Sequence, residues 1–272
     1  MDRRAALAAA VAAKFAAHPQ VQAVALGGSS VTGAADDSSD VDLYVYADPE
    51  LSLESREAVA AAQGTSGRVE IGNRYFESGD EWRDAASGIG VDVMHRDPAW
   101  IEDRLVAVLD RHEAALGYTT CLWHNVRTSA PLFDRSGWYA GLKAKAAVPY
   151  PDGLRRAIVN KNRAMLAYTK ASWRRQLELA LLRDDPVAVN HRAAAFLASW
   201  FDLLFALNRE PHPGEKRLLR HARTLCAVRP QDMDETVRRF LAGTVGMDAA
   251  ALAVADLLIA GIERLLAEGG LA

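Results

Sequence analysis

The sequence Leu26-Gly27-Gly28-Ser29-Ser30, followed by Asp40-Val41-Asp42, predicts how the N-terminal part of the chain folds. Apolar runs flank it, Val21 to Leu26 on one side and Val41 to Tyr46 on the other, and turn residues bound both runs. Such runs are typical of β-strands, and the small polar residues between the two motifs predict a loop. Because side chains alternate along a strand, we expect the two aspartates to point to the same face.

This pair of carboxylates has two interpretations. Two adjacent negative charges repel each other and attract a divalent cation, which oxygen ligands bind well. The alternative is a surface hairpin with an acidic edge, since short motifs of this kind also occur by chance.

Two further acids stand in later apolar runs. Asp92 lies in the run from Gly88 to His95, and an aspartate buried in such a strand is costly unless charge or hydrogen bonds compensate it. Glu70 lies in a third predicted strand, Arg68 to Tyr75. Asp92 is either part of a functional site or an edge-strand acid that faces water. Glu70 is likewise either part of a functional site or a solvated strand residue.

The Gly28-Ser29 turn and the pair Asp40 and Asp42 resemble the signature of the polymerase-β-like nucleotidyltransferase superfamily. The resemblance implies that Gly28 and Ser29 hold the phosphates of a nucleotide. It also implies that the aspartate pair binds Mg²⁺ and that a third carboxylate joins it from a later strand. Asp92 matches that third position, so the expected metal ligands are Asp40, Asp42 and Asp92.

Over its full length the chain resembles the two-domain nucleotidyltransferases catalogued as DUF4037, and it is akin to aminoglycoside and lincosamide adenylyltransferases. The segment His212 to Lys216 carries the C-terminal part of this resemblance. It implies that Lys216 contacts the ATP phosphates, although a solvated charged turn is the alternative. It also implies a carboxylate that takes the proton from the attacking hydroxyl, and both Asp92 and Glu70 are candidates.

The implied reaction is transfer of AMP from ATP to a hydroxyl group, with two Mg²⁺ ions as cofactor and pyrophosphate as the leaving group. The acceptor, the identity of the nucleotide and the oligomeric state, monomer or homodimer, stay open. A second hypothesis is a non-catalytic nucleotide-binding protein or an antitoxin-like partner of another protein.

Composition bounds the remaining possibilities. The chain has 272 residues, half of them hydrophobic, and a net charge of -3, which favours a small-molecule partner over a nucleic acid. The resemblance implies that a nucleotide is the other partner. Cys121 and Cys226 are far apart, which favours free thiols in a reducing cytoplasm. Because no run of about 18 apolar residues occurs, no membrane partner is expected.

The predicted fold class is α+β, with a mixed sheet and flanking helices in a catalytic domain, residues 1–148, and an all-α bundle in residues 149–272. We expect Leu132 to Gly137 to be a turn that leaves the first domain. Asn160 to Arg183 and Val187 to Leu207 are predicted to be long helices of the bundle, and the aromatic residues of the second one are predicted to lie in its core.

Overall fold

The computed structural model describes residues 3–28 and 39–271. The chain divides into two compact units, one made of residues 1–105 and 125–148 and the other of residues 106–124 and 149–272. The division into two domains, residues 1–148 and 149–272, stays a prediction. The elements up to residue 146 are α1 (Arg3–Ala16), β1 (Val21–Leu26), β2 (Val41–Ala47), α2 (Leu53–Gln63), β3 (Thr65–Asn73), β4 (Ser78–Asp84), β5 (Gly90–Arg96), α3 (Pro98–Leu109), α4 (Cys121–Thr128), β6 (Ala130–Asp134) and α5 (Trp138–Ala146).

The first unit is built on one six-stranded sheet with the strand order β3-β4-β5-β2-β1-β6. Strands β2 and β5 are parallel, whereas the other neighbouring pairs are antiparallel. The sheet is therefore mixed, as predicted, and the helical second unit confirms the α+β class. The parallel pair at the centre brings the starts of β2 and β5 to the same end of the sheet.

Local sequence explains the helices beside this sheet. The buried stripe of α1, from Leu7 to Phe15, recurs at helical spacing and joins a core with residues of β1, β2 and β5. Helix α2 begins after Ser52, whose side-chain oxygen accepts a hydrogen bond from the Ser55 amide and so caps the helix.

The edges of the sheet differ from the prediction. The third strand, predicted from Arg68 to Tyr75, runs from Thr65 to Asn73. Strand β4 was not predicted, because Ser78–Asp84 consists mainly of residue types that are rare in strands. Residues 132–137 were predicted to be a turn, but Leu132 belongs to β6, which pairs with β1.

The second unit contains, after residue 150, α6 (Asp152–Arg163), a π-helical turn (Ala164–Tyr168), α7 (Trp173–Leu182), α8 (Pro186–Leu207), α9 (Leu218–Leu225), α10 (Met233–Val245) and α11 (Ala250–Glu268). The predicted helix from Asn160 to Arg183 is therefore interrupted, because the π turn ends α6 and Ser172 caps a new helix. The predicted core aromatics are confirmed as buried in one cluster: Phe196, Trp200, Phe201 and Phe205.

Residues 106–124 group with the helical unit for a physical reason. The carboxylate of buried Asp202 on α8 accepts hydrogen bonds from the Thr119 amide at 3.2 Å and from its hydroxyl at 2.6 Å. Asn162 of α6 donates to the same carboxylate at 3.2 Å. Burial raises the pKa of Asp202 to about 7, although these hydrogen bonds act in the opposite direction. None of the helices within residues 3–28 and 39–271 is long and apolar enough to cross a bilayer.

A buried ionic group ties α2 to the sheet of the first unit. Arg56 and Asp80 are 1% and 0% exposed, and Arg56 Nη2 lies 2.6 Å from Asp80 Oδ1. His95 Nε2 lies 2.7 Å from the other oxygen, and the Gly72 amide donates to Asp80 at 2.9 Å. Burial raises the pKa of Asp80, but the hydrogen bonds from His95 and Arg56 outweigh burial and hold it below its ordinary value.

We expect Asp80→Asn to lower the free energy of unfolding by roughly 3 kcal/mol. The Arg56 charge loses its buried partner and keeps only Glu50, a more exposed carboxylate whose Oε1 lies 2.7 Å from Arg56 Nη1. The depressed pKa means that the Asp80 contribution is complete above an ordinary aspartate pKa of about 4 and is lost as the pH falls through the folded-state value. Urea unfolding at pH 7 and at pH 3 measures both effects, and the gap between wild type and variant should narrow at pH 3. Glu57→Gln, on the exposed side of the same helix, is the control, and an equal loss in both variants would contradict the prediction.

Candidate functional site

Gly28 stands at the end of β1 with a φ of +62°, in the left-handed region that favours glycine. A Cβ atom at this position would lie 1.8 Å from Asp42 Oδ2 and 2.5 Å from Asp42 Cγ. The Asp42 carboxylate therefore occupies the space that any larger residue at position 28 would need. The first half of the predicted motif is thus in direct contact with the second half.

Asp40 makes a similar contact with a different strand. It is exposed and stands one residue before β2, and a Cβ at Gly90 would lie 2.1 Å from Asp40 Oδ1. Gly90 begins β5, the strand that carries Asp92 two residues later. The structure therefore brings Asp40 beside the strand that holds the third predicted acid.

Asp42 and Asp92 are register partners in the parallel pair of β2 and β5. Neighbouring strands are about 4.8 Å apart, and register partners present their side chains on the same face of a sheet. Both residues are half-buried. The three acids predicted to bind metal, together with Gly28, consequently lie at one end of the central strands.

The acidic row continues across two more strands. Asp92 pairs with Glu81 of β4, and Glu81 pairs in turn with Glu70 of β3. Glu70 is therefore separated from Asp92 by Glu81, at about two strand spacings, and its Oε1 lies 2.6 Å from Nε of Arg68. Four strands thus present one row of carboxylates, formed by Asp42, Asp92, Glu81 and Glu70.

A cavity of about 360 Å³ in the first unit opens beside three members of this row, Asp92, Glu81 and Glu70. Two arginines, Arg68 and Arg83, contribute positive charge among the acids, so the lining has mixed charge with an excess of negative groups. The cavity is lined by Asp40, Ser66, Gly67, Arg68, Glu70, Glu81, Trp82, Arg83, Gly90, Val91 and Asp92.

The donor chemistry of this site fits a hard divalent cation, since Asp40, Asp42 and Asp92 supply only carboxylate oxygens. The glycines at positions 28 and 90 leave the space that the carboxylates of Asp42 and Asp40 occupy. Within the described part of the chain, however, no three His, Cys, Asp or Glu side chains converge into a group that could hold a metal ion. Joint binding of one ion by all three acids would therefore require their side chains to turn toward a common point.

Two predicted phosphate-binding residues are not placed at this site. Ser29 lies outside the described residues. Lys216 belongs to the helical unit, where it is exposed just before α9 and forms no salt bridge with another described residue. Arg217, which follows it, is the N-cap of α9 with a φ of 56°.

The turn that precedes Lys216 is anchored by a fully buried histidine. The His212 amide donates to the Thr120 hydroxyl oxygen at 2.7 Å, and the Gly214 amide donates to His212 Nδ1 at 3.1 Å. Phe205 and Tyr118 pack against the ring at centroid distances of 4.9 and 5.0 Å. Burial lowers the pKa of His212 to about 3, so the imidazole is neutral at pH 7 and holds the turn by accepting at Nδ1.

Sequence reasoning missed Glu81, Arg83 and Arg68 as members of the cavity lining. The available signal was weak: exposed Glu81 and Arg83 alternate with buried Asp80, Trp82 and Asp84, which is a strand pattern in polar residues. It also missed Tyr44, whose ring lies against the first glycine of the turn.

Comparison with known proteins agrees with this geometry. Residues 8–111 match the family model described as nucleotidyltransferase domain. The matched segment contains Gly28, Asp40, Asp42 and Asp92. Over residues 8–111, this match supports the resemblance to nucleotidyltransferases that the sequence motifs indicated. The match supports nucleotidyl transfer as the general chemistry, and such domains typically use a nucleoside triphosphate and a divalent metal.

One similar solved structure is a nucleotidyltransferase-like protein from Exiguobacterium sibiricum 255-15. The similarity covers 94% of this chain and 72% of that chain, with 14% sequence identity and a TM-score of 0.43. The search of curated proteins gave no match.

We expect Gly28→Ala to be more destabilising than Gly67→Ala. Both glycines have a positive φ, which costs an alanine about 1 to 2 kcal/mol, but a Cβ at Gly67 meets nothing within 4 Å. The alanine at position 28 must also displace the side chain of Asp42, which should lower the free energy of unfolding by roughly 1 kcal/mol more. Urea unfolding of both variants measures the difference, and equal losses would show that Gly28 is needed for its backbone conformation alone.

Proposed function

We propose that this protein transfers a nucleoside monophosphate, AMP from ATP, to a hydroxyl group of a small acceptor in a Mg²⁺-dependent reaction that releases pyrophosphate. One observation carries the proposal. Within the segment that matches the nucleotidyltransferase model, Asp42 contacts Gly28 and is the register partner of Asp92. A turn suited to phosphate and two carboxylates thus meet at the same strand ends.

In the proposed reaction the acceptor oxygen forms a bond to the α-phosphorus of ATP. The bond between that phosphorus and the bridging oxygen breaks, and the electron pair leaves with pyrophosphate. The turn at Gly28 offers close backbone approach to the phosphates, because its glycine has no side chain. Asp40, Asp42 and Asp92 would hold two Mg²⁺ ions, which neutralise charge on the attacking and leaving oxygens when bound.

The acceptor proton goes to a carboxylate of the acidic row. Asp92 and Glu70 remain the two candidates that the resemblance implies. Glu81 is a third candidate, since it lies between them and is the direct cross-strand neighbour of Asp92. In contrast with Glu70, which is paired with Arg68, Glu81 forms no ion pair with another described residue.

The finer relationships are also part of this proposal. They comprise the DUF4037 group, kinship with antibiotic adenylyltransferases, a cytoplasmic location and a monomeric or homodimeric state. The sequence resemblance supports the family relationships, and the free cysteines favour the cytoplasmic location.

We expect Asp42→Asn or Asp92→Asn to remove the Mg²⁺-dependent part of nucleotide binding and to lower transfer by roughly 100-fold or more, as loss of transition-state charge stabilisation does. Each variant should keep the wild-type free energy of unfolding, because it removes one of two neighbouring like charges. Calorimetric titration with ATP, GTP, CTP and UTP, with and without Mg²⁺, measures the binding.

Glu57→Gln, at an exposed position of α2, is the control for a neutralised acid in the same unit. Metal-dependent binding by wild type and by this control, and not by the site variants, supports the proposal. Wild-type nucleotide affinity in both Asp42→Asn and Asp92→Asn would overturn the metal assignment. Failure of the wild type to bind any of the four nucleotides would overturn the enzyme proposal and favour the partner-protein alternative.

Lys216 remains a proposed phosphate ligand. We expect Lys216→Ala to weaken ATP binding by roughly tenfold, which corresponds to loss of one charged contact of about 1.4 kcal/mol. The same titrations measure this effect, and Lys170→Ala provides a control at another exposed lysine of the helical unit. Equal affinities of the two variants would remove Lys216 from the site.

A further inference from the structure

We infer that Tyr44 is a positioning residue that sets the place of the Gly27-Gly28 turn, and that Arg96 and Asn125 clamp its ring for this purpose. The inference rests on the proposed function, because it assigns this turn to nucleotide binding. It concerns residues of the first unit only.

Gly27 is a glycine for a different reason from Gly28. It is buried and its amide donates to the Asp42 carbonyl oxygen at 2.9 Å, and it is not among the residues with positive φ. A Cβ at Gly27 would lie 2.2 Å from Tyr44 Cε2 and 2.8 Å from both Cζ and Oη. The nearest obstacle to a side chain at position 27 is therefore the outer part of the Tyr44 ring, while the backbone itself accepts any residue.

The Tyr44 ring is not free to move away from the turn. Its residue is 6% exposed, and the Arg96 guanidinium lies 4.1 Å from the ring centroid. Asn125 Nδ2 donates a hydrogen bond to the Tyr44 hydroxyl oxygen at 2.5 Å. One face and the far tip of the ring are thus fixed by two polar groups, and a cation over an aromatic face is attractive in its own right.

The clamp is itself held in place. Arg96 Nε donates to Glu77 Oε2 at 2.7 Å and Nη2 donates to Glu77 Oε1 at 3.0 Å, which is the bidentate geometry of a strong pair. Arg96 Nη1 donates to Asn125 Oδ1 at 2.9 Å. Since Asn125 contacts both Arg96 and the Tyr44 hydroxyl, these side chains form one connected group that a small rotation of Tyr44 would disrupt.

Strand β2 therefore contacts both glycines of the turn. Asp42 fills the space beside Gly28, and Tyr44, two residues later on the same face, fills the space beside Gly27. The turn is held between a carboxylate and a ring that one strand supplies. A nucleotide that binds the turn would therefore meet its backbone at a fixed position relative to Asp42, and this is the pre-organisation that binding and in-line transfer require.

The test is a double-mutant cycle between Gly27 and Tyr44. Gly27→Ala should weaken binding of ATP with Mg²⁺ by roughly tenfold or more, because the new methyl group displaces the turn or the ring. Tyr44→Leu removes the three obstructing atoms, which all lie beyond the reach of a leucine. The combined Gly27→Ala/Tyr44→Leu variant should therefore bind ATP within about threefold of Tyr44→Leu alone, a coupling that independent sites do not show.

Two further variants separate positioning from stability. Tyr44→Phe keeps the ring atoms Cε2 and Cζ but loses the hydrogen bond from Asn125, so its ATP affinity should fall between those of wild type and Gly27→Ala. Gly141→Ala is the matched glycine control, since a Cβ there meets nothing within 4 Å, and it should leave ATP affinity unchanged. Thermal unfolding of every variant identifies effects on folding, and rescue of folding of Gly27→Ala by Tyr44→Leu would also support the inference.

The outcomes distinguish this inference from the proposed function. If the wild type binds ATP and Gly27→Ala binds it with the same affinity, the inference is overturned and the proposed function stays intact. Additive losses in the double variant would overturn it as well. Absence of nucleotide binding by the wild type would overturn the proposed function and the inference together.

Discussion

The parallel pairing of β2 with β5 is the constraint on which the candidate site depends. It makes Asp42 and Asp92 register partners although 50 positions of sequence separate them. A slip of one residue would turn one of these side chains to the opposite face, into the core formed with α1. The buried residues Val41, Leu43, Val91 and Val93 prevent such a slip, because they alternate with the acids and fill that core. Packing on one face of the sheet thereby fixes chemistry on the other.

The two glycines of the turn follow from the same strand. Each lies against a side chain of β2, a carboxylate at Gly28 and an aromatic ring at Gly27, and each side chain occupies the volume of a missing Cβ. Gly28 also requires its residue type for a left-handed backbone, whereas Gly27 requires it for space alone. The two glycines are therefore required for different reasons. Only Gly28 has a backbone conformation that favours glycine.

The charges around the site are balanced in different ways at different depths. Deep in the sheet, Asp80 is fully buried and receives Arg56, His95 and a backbone amide, so its charge is compensated completely. At the surface, Asp92, Glu81 and Glu70 line a cavity in which Arg68 and Arg83 compensate the negative charge only in part. The first arrangement stabilises the sheet, and the second leaves negative charge available for a ligand that carries positive charge or binds metal.

Local sequence determined most elements of this protein. The strands at β1 and β2, the capped helix α2 and the apolar helix α8 were predictable because apolar runs, turn residues and caps act within a few residues. The contact between Gly28 and Asp42 could be expected only from the family resemblance. Strand β4, the place of Glu81 between Asp92 and Glu70, and the contact of Tyr44 with Gly27 were decided by tertiary structure. They depend on strand order and register, which arise from burial of residues far apart in the chain, and the polar sequence of β4 carries almost no local signal of its own.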